Sequence, residues 1–120
     1  MSAEGARDPN DLSRLLVERA NAGDAAGIAA LYTDGARMTV QGQSDLVGRE
    51  AIREFFDKVL AVRPEFRLGE QRPALIAGDL ALTSTRLADG TVTAEVAVRQ
   101  PDGTWLWALD DPALAREAAP

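Results

Sequence analysis

Residues 21–60, NAGDAAGIAALYTDGARMTVQGQSDLVGREAIREFFDKVL, decide the architecture. Gly23 suits the left-handed position that ends a helix, and Asp24 is a side chain able to cap the next one. Ile28, Leu31 and Tyr32 then fall on one side of a short second helix closed by Thr33-Asp34-Gly35. Ala36, Met38 and Val40 alternate with Arg37, Thr39 and Gln41, which predicts a strand with its even positions inward. After a polar turn at 43–45, Gly48 opens a third helix. Its Ile52, Phe55, Phe56, Val59 and Leu60 recur at i, i+3, i+4, i+7 and i+8, an apolar stripe that Pro64 stops.

Working outward, Leu12, Leu15 and Leu16 give a first helix that Pro9 can start and Gly23 ends. Beyond Pro64 the chain changes period. Gly78-Asp79, Asp89-Gly90 and Pro101-Asp102-Gly103 divide four extended segments at hairpin spacing, so a four-stranded antiparallel meander is expected, with Pro73 at a bulge or an edge. Pro-Asp-Gly as a three-residue loop pairs Gln100 with Thr104, Val98 with Leu106, Val96 with Ala108 and Ala94 with Asp110. The same loop at 88–90 pairs Arg86 with Val92 and Leu82 with Val96. The even-numbered face, including Leu80, Leu82, Ser84, Arg86, Val96, Ala108 and Asp110, is then the expected inner one. Glu95, Arg99, Trp105 and Trp107 would lie outside. A two-residue Asp-Gly turn would reverse the parity of the preceding strand, and a one-residue slip would turn both Trp side chains inward.

At 120 residues the chain reads as one domain over 1–120, with 1–9 and 113–120 as loose ends. Thirteen Lys and Arg against 19 Asp and Glu give a net charge of −6. Nucleic acid and anionic membrane are therefore not expected as partners. There is no Cys and no His, which removes thiolate chemistry, disulfides and the commonest metal ligand. No metal site or cofactor motif is expected. Neither a signal peptide nor a membrane-length apolar run is read in the sequence, so a cytoplasmic location is the expectation.

The run Asn21-Ala22-Gly23-Asp24, Gly27-Ile28, Ala30-Leu31-Tyr32, Asp34, Ala36 and then Ala51-Ile52-Arg53-Glu54-Phe55-Phe56 resembles the front half of ketosteroid isomerases. More broadly it resembles the nuclear transport factor 2-like superfamily, which includes SnoaL-type polyketide cyclases, limonene epoxide hydrolase and scytalone dehydratase. The back half, with Asp102-Gly103-Thr104-Trp105-Leu106-Trp107 and Asp110-Asp111-Pro112, is most similar to uncharacterised members. The resemblance implies an α+β fold in which a cone-shaped, strongly curved antiparallel sheet wraps three N-terminal helices, a cystatin-like α+β barrel, commonly as a homodimer through the sheet. Such a scaffold carries many sites. The isomerase uses an Asp base and an oxyanion hole of Tyr and protonated Asp. Carried over, these fall on Val40, Leu16 and Val96, so the resemblance implies a cavity stripped of that machinery.

The expected ligand pocket is lined by Leu16, Met38, Val40, Phe56, Leu82, Ser84, Val96 and Ala108. Asp110, Arg86 and Tyr32 are the candidates for chemistry. An Arg beside an Asp in an apolar pocket can anchor an oxygen while the carboxylate acts as base. The plain alternatives are a structural ion pair for Asp110 and Arg86, and core filling for Tyr32, Met38 and Val40. Trp105, Trp107 and Arg99 are read as a homodimer surface, with Arg99 stacked on an indole. Three functions stay open: a domain that binds a small organic molecule, a cofactor-independent cyclase, hydrolase or dehydratase, and a dimeric protein-interaction module.

Overall fold

The helical periodicities become α1 (Asp11–Asn21), α2 (Ala25–Ala29) and α3 (Arg49–Ala61). Asp24 caps α2 by accepting from the Gly27 amide at 2.8 Å. The computed structural model describes residues 4–116. In it the three helices cover one face of an open, curved, eight-stranded sheet, an α+β fold as the sequence implies. Its strands are β1 (Tyr32–Met38), β2 (Leu46–Val47), β3 (Glu70–Gln71), β4 (Leu75–Ala77), β5 (Leu80–Thr83), β6 (Thr85–Arg86), β7 (Thr91–Arg99) and β8 (Trp105–Arg116). The order is β2-β1-β8-β7-β5-β4, with β6 also on β7 and β3 on β6.

The sheet is mixed, because β1 runs parallel to β8 while every other pair is antiparallel. Tyr32 accordingly opens a strand instead of ending a helix. The Trp107 amide donates to the Leu31 carbonyl at 2.8 Å and starts that pairing. Pro73 lies between β3 and β4, where the chain changes partner from β6 to β5. There the Asn10 side chain binds the Arg72 carbonyl and the Ala74 amide, both at 3.0 Å.

Both three-residue loops form as expected: Gly103 and Gly90 take φ of 85° and 89°, and Gln100 donates to Thr104 at 2.7 Å. Val98 faces Leu106, Leu82 faces Val96 and Arg86 faces Val92. The register diverges at Ala108. Ala97 pairs with Trp107 but Val96 pairs with Leu109, so Ala108 is an extra residue on β8, a bulge. Downstream of it Asp110 faces Glu95 and Asp111 faces Ala94.

The inner face is the odd-numbered one, the reverse of the expected assignment. Ala81, Thr83, Thr85, Thr93, Glu95, Ala97, Trp105 and Trp107 are buried, and the bulge returns Asp110 to the same side. Trp105 and Trp107 are only 4% and 3% exposed, so they are core and do not form an outer dimer surface. Arg99 does lie over Trp105, 5.7 Å from the ring centroid, and is paired with Asp79 at 2.6 Å. The ends are tied in as far as they are described: Ala6 bridges Trp105, and Ala113 to Arg116 belong to β8. The remainder of the expected loose ends, 1–3 and 117–120, lies outside the described residues. Among the described residues no helix is long and apolar enough to cross a membrane.

Candidate acid-base site

Between the helices and the inner face of the sheet lies a cavity of about 400 Å³, within the range of small-molecule sites. α1 contributes Leu16 and Val17, α3 contributes Phe55, Phe56 and Val59, and the end of β1 contributes Met38. Val40 and the loop residues Phe66 and Leu68 extend this apolar wall. The polar side chains come mainly from the sheet: Thr85, Thr93, Glu95, Asp110 and Tyr32.

Tyr32 is fully buried, and its hydroxyl donates to Asp110 Oδ2 at 2.5 Å. Two contacts hold the residue, one at the ring and one at the backbone. It packs on Trp107 with centroids 5.4 Å apart, and Arg49 of α3 donates to the Tyr32 carbonyl from Nε at 2.9 Å and Nη2 at 2.6 Å. Arg49 is itself held by Asp34 at 2.7 Å. The Asp110 backbone is anchored by the Thr39 amide, which donates to its carbonyl at 3.0 Å. Across the strand pair, Glu95 accepts from Thr83 Oγ1 at 2.7 Å, and Thr83 in turn accepts from Trp107 Nε1 at 3.3 Å. Thr85 Oγ1 is buried in the wall without a hydrogen-bond partner.

These surroundings set the proton chemistry. Burial is the largest influence on Asp110 and pushes its carboxyl up to about 7; the Tyr32 hydrogen bond opposes the rise, and the charges of Glu95 and Asp111 add to it. Burial also raises Glu95, against the hydroxyls of Thr93 and Thr83. The Tyr32 phenol is pushed well above its ordinary value by burial and by the adjacent Asp110, so it stays a donor. At neutral pH Asp110 therefore populates both of its protonation states, the condition under which one carboxyl can take a proton and return it.

Of the residues expected at the site, Asp110, Tyr32, Leu16, Met38, Val40 and Phe56 all line this cavity. Arg86 does not; it is exposed on β6, facing Val92 and Glu70 across the ladder. Leu82, Val96 and Ala108 leave the cavity because they sit on the outer face or in the bulge, and Ser84 turns away to donate to the Thr93 carbonyl at 2.7 Å. The carry-over that puts an apolar Val96 at the cavity fails for the same reason, since the inward residue is Glu95, whereas Leu16 and Val40 do line the cavity. Sequence reasoning missed Glu95, Thr85 and Arg49. The Thr83-x-Thr85 and Thr93-x-Glu95 alternation was the available signal, a polar stripe at strand period beside two Trp residues. Among the described residues no group of three or more His, Cys, Asp or Glu side chains could hold a metal ion.

The helices laid on a curved mixed sheet, with the cavity between them, define the cystatin-like α+β class to which the nuclear transport factor 2-like proteins belong. Within that class the chain belongs to the SnoaL-like domain family, which matches residues 13–117. Similar solved structures include an NTF2-like protein with a cystatin-like fold from Novosphingobium aromaticivorans, at TM-score 0.67 and 21% identity over 91% of this chain and 80% of that one. A ketosteroid isomerase-like protein from Erwinia carotovora atroseptica gives 0.65 at 16% identity, over 85% of this chain and 89% of the other. A candidate dehydratase of the NTF2-like family from Streptomyces avermitilis gives 0.68 at 19% identity, with 88% and 94% covered. At these identities the likeness is one of fold. No curated protein matches the sequence.

Proposed function

We propose that the cavity binds a small, largely apolar organic molecule and that Asp110 transfers a proton to and from it without a cofactor. The observation that carries this reading is the Asp110 carboxyl, 8% exposed, held 2.5 Å from the Tyr32 hydroxyl at an apolar cavity and raised by burial to about 7. As base, Asp110 accepts a proton from a C–H or O–H of the bound molecule. Protonation weakens its claim on the Tyr32 hydroxyl, which can then donate to an oxygen where negative charge develops. Return of the proton to another atom completes an isomerisation, cyclisation or elimination. Relatives described as ketosteroid isomerase-like and as a candidate dehydratase carry names within that range. The Asp-Arg version of the chemistry is dropped, because Arg86 lies on another part of the sheet. Simple binding without turnover is the second reading, favoured by the hydrocarbon that makes up most of the cavity wall.

The protein is further read as a homodimer through the outer face of the sheet. Leu75, Leu82, Val96 and Leu109 face one another in a continuous row across β4, β5, β7 and β8, with Leu80, Val98 and Leu106 in the next row. Leu75, Leu80, Leu82 and Leu109 are 48 to 70% exposed, an apolar face that a second copy would cover. The functional test is mass spectrometry of small molecules released from the purified protein, followed by turnover assays on what is found. Asp110→Asn should abolish turnover and leave affinity nearly unchanged. Full activity in that variant refutes the acid-base role.

A further inference from the structure

We propose that Glu95 is a positioning residue for Asp110: a one-way hydrogen-bond network holds Glu95 as a fixed anion, and that anion adds to burial in keeping the proton on Asp110. The inference rests on the reading of Asp110 as the proton-transferring group.

Glu95 and Asp110 face each other directly across β7 and β8 on the buried side of the sheet. Side chains so paired stand about 5 Å apart at Cβ. Two carboxyl groups so paired in an apolar setting titrate as a coupled pair, and their hydrogen-bond partners decide which of them gives up its proton first.

The partners of Glu95 are two hydroxyls, and each is itself pinned by a group that can only donate. Thr83 Oγ1 accepts from the Trp107 indole N–H at 3.3 Å, then lies 2.7 Å from Glu95 Oε1. Thr93 Oγ1 accepts from the Thr85 backbone N–H at 3.0 Å, and its hydroxyl also bonds Glu95. An indole N–H and an amide N–H cannot reverse. With a lone pair of each hydroxyl filled from behind, both hydroxyl protons are directed at Glu95, the arrangement that favours the charged acceptor. Burial raises Glu95, and these same two hydroxyls oppose the rise.

Asp110 is held differently. Its side-chain partner is the Tyr32 phenol, which both donates and accepts, so this bond works with Asp110 charged or neutral. The network is directional at Glu95 and reversible at Asp110. The other charged groups near the pair are Asp111 on β8, Arg37 on β1 and Asp45 before β2, which border a small hollow on the far side of the sheet, and Arg67 at the cavity rim. Arg37 and Asp45 are paired with each other at 3.2 Å, and Arg67 with Glu65 at 2.8 Å. The helices contribute Ser13 and apolar side chains to the cavity and no titratable group.

The test is a carboxyl-carbon NMR titration of the whole protein from acid to mildly alkaline pH, for the natural sequence, Glu95→Gln and Thr83→Val. In the natural protein Asp110 should titrate near neutrality and Glu95 below it. Glu95→Gln should lower the Asp110 midpoint by roughly one pH unit or more, as expected when a like charge is removed. Thr83→Val should raise the Glu95 midpoint toward that of Asp110, because a donor to the charged form is lost. An ordinary carboxylate midpoint for Asp110 in the natural protein would overturn the acid-base reading itself. A midpoint near neutrality that is the same in Glu95→Gln would overturn only the role of Glu95. Where Glu95→Gln does not fold, Thr83→Val decides: an unmoved Glu95 midpoint refutes the directed network, as does a Glu95 that titrates above Asp110 in the natural protein.

Discussion

Asp110→Asn should make the protein more stable at alkaline pH and not at acid pH. The Asp110 carboxyl sits at about 7 in the folded chain against 3.8 for the free group. Between those values the folded state keeps a proton that the unfolded chain has released, so stability falls as pH rises through this window. Three pH units at 1.36 kcal/mol each give a loss of about 4 kcal/mol, absent near pH 4 and complete somewhat above pH 7. That is a large share of the roughly 5–15 kcal/mol by which domains are stable. Asn has no proton to lose and can still accept from the Tyr32 hydroxyl; its buried amide N–H group costs about 1 kcal/mol. The expected difference, variant minus natural, is therefore about −1 kcal/mol at pH 4 and about +3 kcal/mol at pH 8.5. Urea unfolding followed by fluorescence of the buried Trp105 and Trp107, at fixed protein concentration across that range, measures it. Titrations of groups that do not interact with Asp110 cancel in the difference, and the coupled Glu95 adds a smaller term of its own. A difference that does not change with pH would refute the argument that burial holds the Asp110 proton.

Tyr32→Phe removes the hydrogen bond that opposes the rise at Asp110, so the Asp110 midpoint should move above about 7 in a carboxyl NMR titration; a downward move contradicts the assignment. Thr85→Val deletes a buried hydroxyl that has no partner and should leave thermal stability equal or raise it by about 1 kcal/mol, whereas a clear loss would mean the hydroxyl is satisfied. Gly69→Ala would put a Cβ 2.5 Å from the Arg86 carbonyl oxygen, and the forced shift of β3 should cost about 1–3 kcal/mol in a melt; an unchanged midpoint would show that the segment yields freely. Leu82→Arg places a charge in the exposed leucine row, and sedimentation velocity should show a dimer of the natural protein replaced by monomer; identical profiles count against that interface.

The helices and turns were legible because their signals are local. The stripe from Ile52 to Leu60, the Asp24 cap and the two Gly-closed loops each depend on neighbours a few residues away, and each forms as read. The face of the sheet was not legible, although most of the register was. Even positions carry Leu80, Leu82, Val92, Val96, Val98 and Leu106, and a rule that sends the branched aliphatic side inward selects the even face. That rule fails here because the helices cover the odd face and leave Leu80 and Leu82 exposed on the other. Asp110 lines the cavity for a reason other than even parity: the Ala108 bulge carries it back to the odd face. Arg86, Ser84 and Val96, read by the same logic without a bulge beneath them, went with the outer side.

The extra residue at Ala108 also bears on how this chain should be compared with its kin. A relative whose last strand lacks it would offer its carboxylate to the same hollow from a position one residue closer to the Trp pair. Column-by-column matching would score that carboxylate as missing in one protein and inserted in the other, although the two occupy the same place in space. Conservation of the acid across such sequences has to be counted after superposition, with a gap allowed at this point.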